Sequence, residues 1–246
     1  MVIYMNDELA RLKEVIRDSD NIVFFGGAGV STESGIPDFR SADGIYNMEY
    51  PYPPETILSY SFFMQYTSEF YRFFKAKMLH PDAQPNKAHF ALAELERQGK
   101  LRAVVTQNVD GLHHKAGSVN VLELHGSCDR YICIRCGMEY TIEAVYATDD
   151  VPRCSCGGTI KPDVVLFEEV LDQSVLERSV RAIRKAEVLI VGGTSLNVYP
   201  SAGLIQHYYG DMLVLINKLA TPIDRYANSI IRDAIGETLD AAVSQV

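Results

Sequence analysis

The short apolar run Ile22-Val-Phe-Phe25 empties into GGAGVSTESGIPDFR, Gly26 to Arg40. A buried strand that ends on closely spaced glycines lets the backbone approach a phosphate. The second half of the stretch, GIPDFR, adds what a phosphate loop does not need. It sets a proline, a carboxylate, an aromatic ring and a guanidinium side by side. The stretch therefore predicts a site that both holds a dinucleotide and takes part in a reaction on it.

The chain around it has 246 residues, enough for one large domain or a large domain with a small satellite. Apolar residues make up 47%, which supports a sizeable core. A formal charge of −9 argues against a dedicated nucleic-acid binder, whose phosphate contacts need a basic surface. No apolar run approaches the ~18 residues of a membrane helix. The start, MVIYMNDELARLKEV, lacks a basic segment followed by an apolar one, so no secretory signal is read. The expectation is a cytoplasmic protein in a reducing compartment. There, closely spaced cysteines point to a metal and not to disulfides.

Helical spacing is read at Asp7–Arg17, Ser59–Met78, Ala88–Gln98 and Val175–Ala186. Short buried strands are read at Ile22–Phe25, Leu101–Val105, Val119–Leu124, Asp163–Phe167, Val188–Val191 and Met212–Ile216. Strands alternating with helices predict an α/β fold with a doubly wound parallel sheet. Most of the aromatics at Phe62, Phe63, Tyr66, Phe70, Phe73 and Phe74 are read as core. The polar loops fall at the carboxyl ends of the strands, where open α/β sheets bind ligands.

The segment Cys128 to Gly158 reads as an insertion stapled by metal. Cys133 and Cys136 form one knuckle; after seventeen intervening residues, Cys154 and Cys156 form a tighter second one. Four thiolates close a tetrahedral zinc site with no open position, so the ion is expected to be structural. Cys128 is left over and reads as a small buried hydrophobe.

Gly27-Ala-Gly29 is only part of a G-x-G-x-x-G fingerprint, since Thr32 stands at the third glycine. A dehydrogenase would run on into a helix and a strand ending in an acid about 20 residues later. GIPDFR and a Tyr/Pro loop interrupt instead. Further polar residues gather at other strand ends: Gln107, Asn108, Asp110 and His113 in TQNVDGLH, His125-Gly126, Gly193-Thr194-Ser195, and Asn217. A neutral His125 in such company is a candidate general base near pH 7.

GAGVS (27–31), GIPDFR (35–40), TQNVDGLH (106–113), HG (125–126), the four cysteines, KPDVVLF (161–167) and GTSLNVYPSAGL (193–204) stand in this order over nearly the whole chain. In that order and spacing the chain resembles the sirtuins, NAD-dependent protein-lysine deacylases. The resemblance implies a Rossmann-like NAD-binding domain from 1–45, 85–126 and 160–246. It also implies a small domain made of a helical module, 46–84, and a zinc ribbon, 127–159, with the substrates meeting between the two. It implies that Gly27, Ala28, Gly29 and Thr32 hold the pyrophosphate. Asp38, with Ile36 and Asp110 nearby, would bind the nicotinamide amide, and Phe39 would screen the reacting ribose carbon. Arg40, Gln107, Val109, Gly193, Thr194 and Ile235 complete the implied NAD site. Asn108 would position the ribose and a water, Ser195 and Asn217 would contact phosphate and adenosine ribose, and His125 would be the base. Val165, Leu166 and Phe167 would pair with an acylated-lysine peptide.

The implied products are nicotinamide, free lysine and 2′-O-acyl-ADP-ribose. An ADP-ribosyltransferase using the same cleft is the alternative. Two departures stand out. Leu166 replaces a frequent tryptophan, and Glu168 replaces a frequent glycine. Relatives that favour acidic acyl groups carry Tyr-x-x-Arg where this chain has Tyr71-Arg-Phe-Phe74, so acetyl is expected first. Neither oligomeric state nor a particular protein substrate is read from the sequence.

Overall fold

The computed structural model describes residues 2–41, 43–47 and 49–244, with side chains from Asp7 onward. Nine strands are present among them: Ile22–Gly26 (β1), Leu101–Thr106 (β2), Val121–Glu123 (β3), Gly126–Cys133 (β4), Glu139–Thr141 (β5), Ile160–Val164 (β6), Val188–Gly192 (β7), Met212–Ile216 (β8) and Ser229–Ile231 (β9). The helices are Val2–Asp18 (α1), Pro54–Ile57 (α2), Tyr60–Gln65 (α3), Thr67–Lys77 (α4), Lys87–Arg97 (α5), Leu112–Lys115 (α6), Glu143–Tyr146 (α7), Gln173–Lys185 (α8) and Ile235–Val243 (α9).

Six strands form one parallel sheet in the order β3-β2-β1-β7-β8-β9. The strand order reverses between β1 and β7, with β2 and β3 added on one side and β8 and β9 on the other, which is the switch point of a doubly wound fold. Every residue of β1 and β7 is buried. This is why both read as unbroken apolar runs: helices cover both faces of the sheet. Ile22, Phe24, Val104, Ile190 and Val214 face a core shared with α1, α5 and α9. The alternate residues Val23, Phe25, Val105, Leu189 and Leu215 face a second core with Ile183 of α8 and Leu204. The α/β, doubly wound expectation holds.

The third core belongs to the small unit. It gathers Phe62, Phe63, Phe70, Phe73 and Phe74 of the helices with Tyr131, Cys133 and Cys154 of the ribbon and with Ile160 and Leu166 of the segment that follows it. The helical module and the ribbon thus share one apolar interior. The Tyr71 hydroxyl, buried in it, donates to the Ile160 carbonyl at 2.6 Å. The ribbon's sheet is antiparallel, ordered β5-β4-β6.

Two elements depart from the sequence reading. The Ser59–Met78 helix is broken at Tyr66, whose φ of −128° and ψ of 50° are not helical. The strand expected at Asp163–Phe167 starts at Ile160, ends at Val164 and joins the small sheet, not the large one. Its Pro162 has no N–H to give, which an edge strand such as β6 tolerates. The C-terminal β9 and α9 carried no assigned pattern. No described helix is long and apolar enough to cross a membrane.

Candidate functional site

Four strand ends meet at the switch point. Gly26-Gly27 leaves β1 and Gly192-Gly193 leaves β7 beside it; Gln107 follows β2 and Asn217 follows β8. The two glycine loops touch directly. Gly29 N–H donates to the Gly193 carbonyl at 2.7 Å. A Cβ on Gly29 would lie 2.8 Å from the Gly193 Cα and carbonyl oxygen, so only glycine lets the loops cross this closely.

The expected polar residues are brought together by hydrogen bonds. Ser31 Oγ donates to Asp110 Oδ2 at 2.6 Å and accepts from Asn108 Nδ2 at 3.0 Å. Asn108 is buried, and Thr106 Oγ1 fixes its backbone N–H. Gln107 Nε2 donates to Ser201 Oγ at 2.7 Å, and its Oε1 accepts from Thr194 Oγ1 at 2.9 Å. The single chain segment TQNVD is thereby tied to the GAG loop and to the loop after β7. The sequence holds Ser31 only as the last residue of GAGVS, with no role assigned, and Ser201 is not singled out at all. Ser201's signal was its place in GTSLNVYPSAGL.

Other expected residues occupy narrower positions. Asn217 is buried, and its amide is spent on Thr194: Oδ1 accepts from Thr194 N–H at 3.0 Å and Nδ2 donates to Thr194 O at 2.8 Å. It shapes the loop from beneath. Ile235 is closed inside the core, and a Cβ on Gly192 would lie 2.4 Å from its Cδ1. Asp38 Oδ1 accepts from the backbone N–H of Arg40 and Ser41 at 2.8 and 2.7 Å, which curls GIPDFR into a turn. Arg40 lies over the Tyr46 ring at 5.4 Å, and Phe39 packs edge-on against the same ring. Ile36 and Phe39 are half-buried, as are Ala28, Val109 and Ser195; Thr32 is exposed and donates its hydroxyl to Gly29 O.

His125 sits between β3 of the large sheet and β4 of the small one. Its Nδ1 lies 2.9 Å from the Gln107 carbonyl, so Nδ1 carries the proton and Nε2 keeps its lone pair. Burial holds its pKa below the usual 6.5, against the opposing pull of the Gln107 carbonyl. The ring is therefore neutral at pH 7. Its own carbonyl accepts from Val165 N–H at 2.9 Å, which joins the base to the segment expected to dock a peptide. Phe167 there is 41% exposed, whereas Leu166 is buried in the small unit's core.

Tyr71 and Phe74 are both buried in that core. Neither offers a cation to an acidic acyl group, and Arg72 beside them pairs with Glu69.

The four cysteine sulfurs lie within 4.8 Å of one another. Cys133 and Cys156 are 3.6 Å apart at sulfur, and Cys136 and Cys154 are 3.5 Å apart. A disulfide needs about 2 Å, whereas sulfurs around zinc at about 2.3 Å are spaced near 3.8 Å. Backbone N–H groups of Arg135, Cys156 and Gly158 point at three of these sulfurs. The donor set fits a zinc ion with no open position. Cys128 is separate, buried, and its thiol pKa is pushed well up by burial.

Behind the strand ends, His89 and His113 pack with ring centroids 4.7 Å apart. Neither nitrogen of His113 has a hydrogen-bond partner among the described residues. Burial lowers His89 from 6.5 to about 4 and His113 well below 6.5. Both are thus neutral when folded, and the unfolded chain binds more protons as pH falls below 6.5. Stability should be full above that value and fall on the way to pH 4, with His89 alone costing roughly 3 kcal/mol there. Urea unfolding at several pH values checks this. A His89→Gln protein should show a shallower acid slope than the parent; equal slopes would refute the assignment.

Glycine loops crossing at the switch point, with the Ser31–Asn108–Asp110 bonds beside them, are the architecture of a Rossmann-type dinucleotide-binding protein. A profile of the Sir2 family matches residues 27–200. An NAD-dependent protein deacetylase of Clostridium perfringens is 54% identical over 243 residues, covering 97% of this chain and all of that protein. The corresponding protein of Clostridium acetobutylicum is 53% identical over 241 residues, covering 96% and 98%. A Sir2 structure holding a deacetylated p53 peptide and 3′-O-acetyl-ADP-ribose superposes with a TM-score of 0.88 at 37% identity, covering 96% and 98%. The chain belongs to the Sir2 family.

Proposed function

We propose that this chain is an NAD-dependent protein-lysine deacetylase, acting on acetylated lysine in protein or peptide substrates and yielding nicotinamide, free lysine and 2′-O-acetyl-ADP-ribose. The observation that carries the reading is His125. A buried, neutral imidazole with its proton fixed on Nδ1 stands between the dinucleotide strand ends and the exposed Phe167 segment. The names of the similar proteins agree with it.

NAD, when bound, supplies a ribose carbon from which neutral nicotinamide can depart. The remaining work falls to the chain. Gly27, Ala28, Gly29 and Thr32 would hold the pyrophosphate beside Gly193, Thr194 and Ser195, with Asn217 supporting that loop. Asp38, Ile36 and Asp110 would bind the nicotinamide amide. Phe39, backed by Tyr46 and Arg40, would shield the ribose carbon from water. Asn108, held by Ser31, would orient the ribose hydroxyls, with Gln107 and Val109 beside it. His125 Nε2 would accept a proton from a ribose hydroxyl, so that oxygen can take the acetyl group. Val165, Leu166 and Phe167 would seat the peptide. Ile235 supports the site through the core.

The large unit would comprise 1–45, 85–126 and 160–246, the small one 46–84 with 127–159. Strand β6 would join them across the cleft. The zinc of Cys133, Cys136, Cys154 and Cys156 would hold the ribbon's shape and take no part in the chemistry. Metal held by four free thiols suits a cytoplasmic protein.

The test is nicotinamide release from NAD with and without an acetyl-lysine peptide. Release is expected only with the acetylated form and in step with loss of acetyl from the peptide. Equal release with the unacetylated peptide would favour the ADP-ribosyltransferase reading.

A further inference from the structure

Glu168 adopts a backbone conformation that a glutamate avoids. Its φ is +77°, and only one other described non-glycine residue, Leu196, has a positive φ. Leu166, Phe167, Glu168 and Glu169 form a tight turn, closed by Glu169 N–H donating to the Leu166 carbonyl at 3.0 Å. Glu168 stands at the third position, which such a turn gives to glycine when φ is positive. A side chain there is strained and persists only where surrounding contacts hold it.

Those contacts come from a different part of the chain. Both carboxylate oxygens of Glu168 are held by Ser61: Oε2 accepts from the Ser61 backbone N–H and Oε1 from the Ser61 hydroxyl, each at 2.9 Å. One residue back, Phe167 N–H donates to Leu58 O and Phe167 O accepts from Tyr60 N–H, both at 3.0 Å. The far side of the turn is fixed as well. Glu169 Oε2 accepts from Leu166 N–H at 2.8 Å and pairs with Lys161 at 2.9 Å. The segment hydrogen-bonded to His125 is therefore stitched to the helical module at residues 58–61. Among the described residues the Glu168 carboxylate is the one side chain closing that stitch from the Val165–Glu169 side, and it holds the turn at its strained residue.

We propose that Glu168 is a positioning residue for the peptide substrate. Its carboxylate clamps the Val165–Phe167 segment to Ser61 and so fixes the surface on which an acyl-lysine peptide docks. The proposal rests on the deacetylase reading above. It assigns Glu168 no contact with the dinucleotide and no part in proton transfer. The residue compensates for the lost glycine by supplying the two hydrogen bonds that hold the turn.

The experiment compares Glu168→Ala, Glu168→Gly, Glu168→Gln and Ser61→Ala in the full chain, by steady-state kinetics with an acetyl-lysine peptide and by amide hydrogen exchange without substrate. Glu168→Ala keeps the strain and loses the clamp. Its peptide KM should rise on the order of tenfold while kcat and the NAD KM move less than about twofold. The amides of Tyr60 and Phe167 should exchange faster. Glu168→Gly, free of strain but also of the carboxylate, should raise the peptide KM too. Ser61→Ala should raise it less, because its backbone N–H remains. Glu168→Gln can still bond Ser61 and should restore the parent value.

Unchanged exchange in Glu168→Ala would overturn the clamp, whatever the kinetics. Faster exchange with an unchanged peptide KM would overturn its role in docking and leave deacetylation standing. A parental KM in Glu168→Gly would show that the turn alone suffices and also overturn it. Failure of the parent protein to deacetylate any peptide would instead sink the deacetylase reading itself, and the exchange data would still report on the clamp.

Discussion

Replacing His125 by alanine is expected to reduce deacetylation by roughly 10²–10⁴-fold or more, the usual contribution of a well-placed general base. NAD and zinc binding should survive. Among the described residues the imidazole's one hydrogen bond is to the Gln107 carbonyl, and Gln107 keeps its side-chain partners Ser201 and Thr194 without it. The loss should thus appear in turnover and not in a collapsed cofactor site. The pH profile carries the same assignment. Burial depresses the His125 pKa below 6.5, so the base stays unprotonated through neutrality. Activity should hold at pH 7 and fall only as pH drops through a midpoint below 6.5. Near-parental turnover in the alanine variant, or an acid limb centred above pH 7, would remove His125 from the role.

Removing the zinc is expected to be the most damaging change to stability. Cys133 and Cys154 are nearly fully buried in the same core as Phe70, Tyr71 and Phe74. The ribbon's own sheet has only three strands, two of them edges, so the metal's cross-links should carry much of its stability. Cys154→Ser, or prolonged chelation, should release the ion and lower the thermal midpoint on the order of 10 °C or more. Activity should fall with it, because Ile160, Leu166 and the helical module share that core. Parallel measurement of zinc content, melting and turnover decides the matter. A metal-free protein with the parental melting point and activity would show that the thiolates are not structural.

Much of this architecture can be read directly from residues. The runs at 22–25, 188–191 and 212–216 are legible because parallel strands buried on both faces need apolar side chains at every position. The four cysteines are legible because thiolate spacing leaves few alternatives, and their sulfurs do converge. The strand ends are legible because their polar residues interrupt apolar runs.

What was not legible depended on partners distant in sequence. Nothing local marks Tyr66 as the end of a helix; the break places Thr67 to start α4 afresh, with its hydroxyl on Phe63 O. The run Asp163–Phe167 looks like a core strand, but pairing with β4 starts it earlier and stops it at Val164. The bonds from both amide atoms of Asn217 to Thr194 are not legible either, since they link two strand ends 23 residues apart. Nor is the place of Ile235 in the core beneath Gly192, which joins the C-terminal helix to β7. Glu168 reads as a lost glycine, and only the fold reveals the glycine-like φ and the Ser61 bonds that sustain it.

The central claim is that one cleft couples nicotinamide release to acetyl transfer from lysine onto ADP-ribose. Mass spectrometry of a single reaction containing the protein, NAD and an acetyl-lysine peptide tests it most directly. The account predicts nicotinamide, deacetylated peptide and O-acetyl-ADP-ribose in equal amounts. Free acetate formed without nicotinamide, or nicotinamide formed while the peptide keeps its acetyl group, would contradict it.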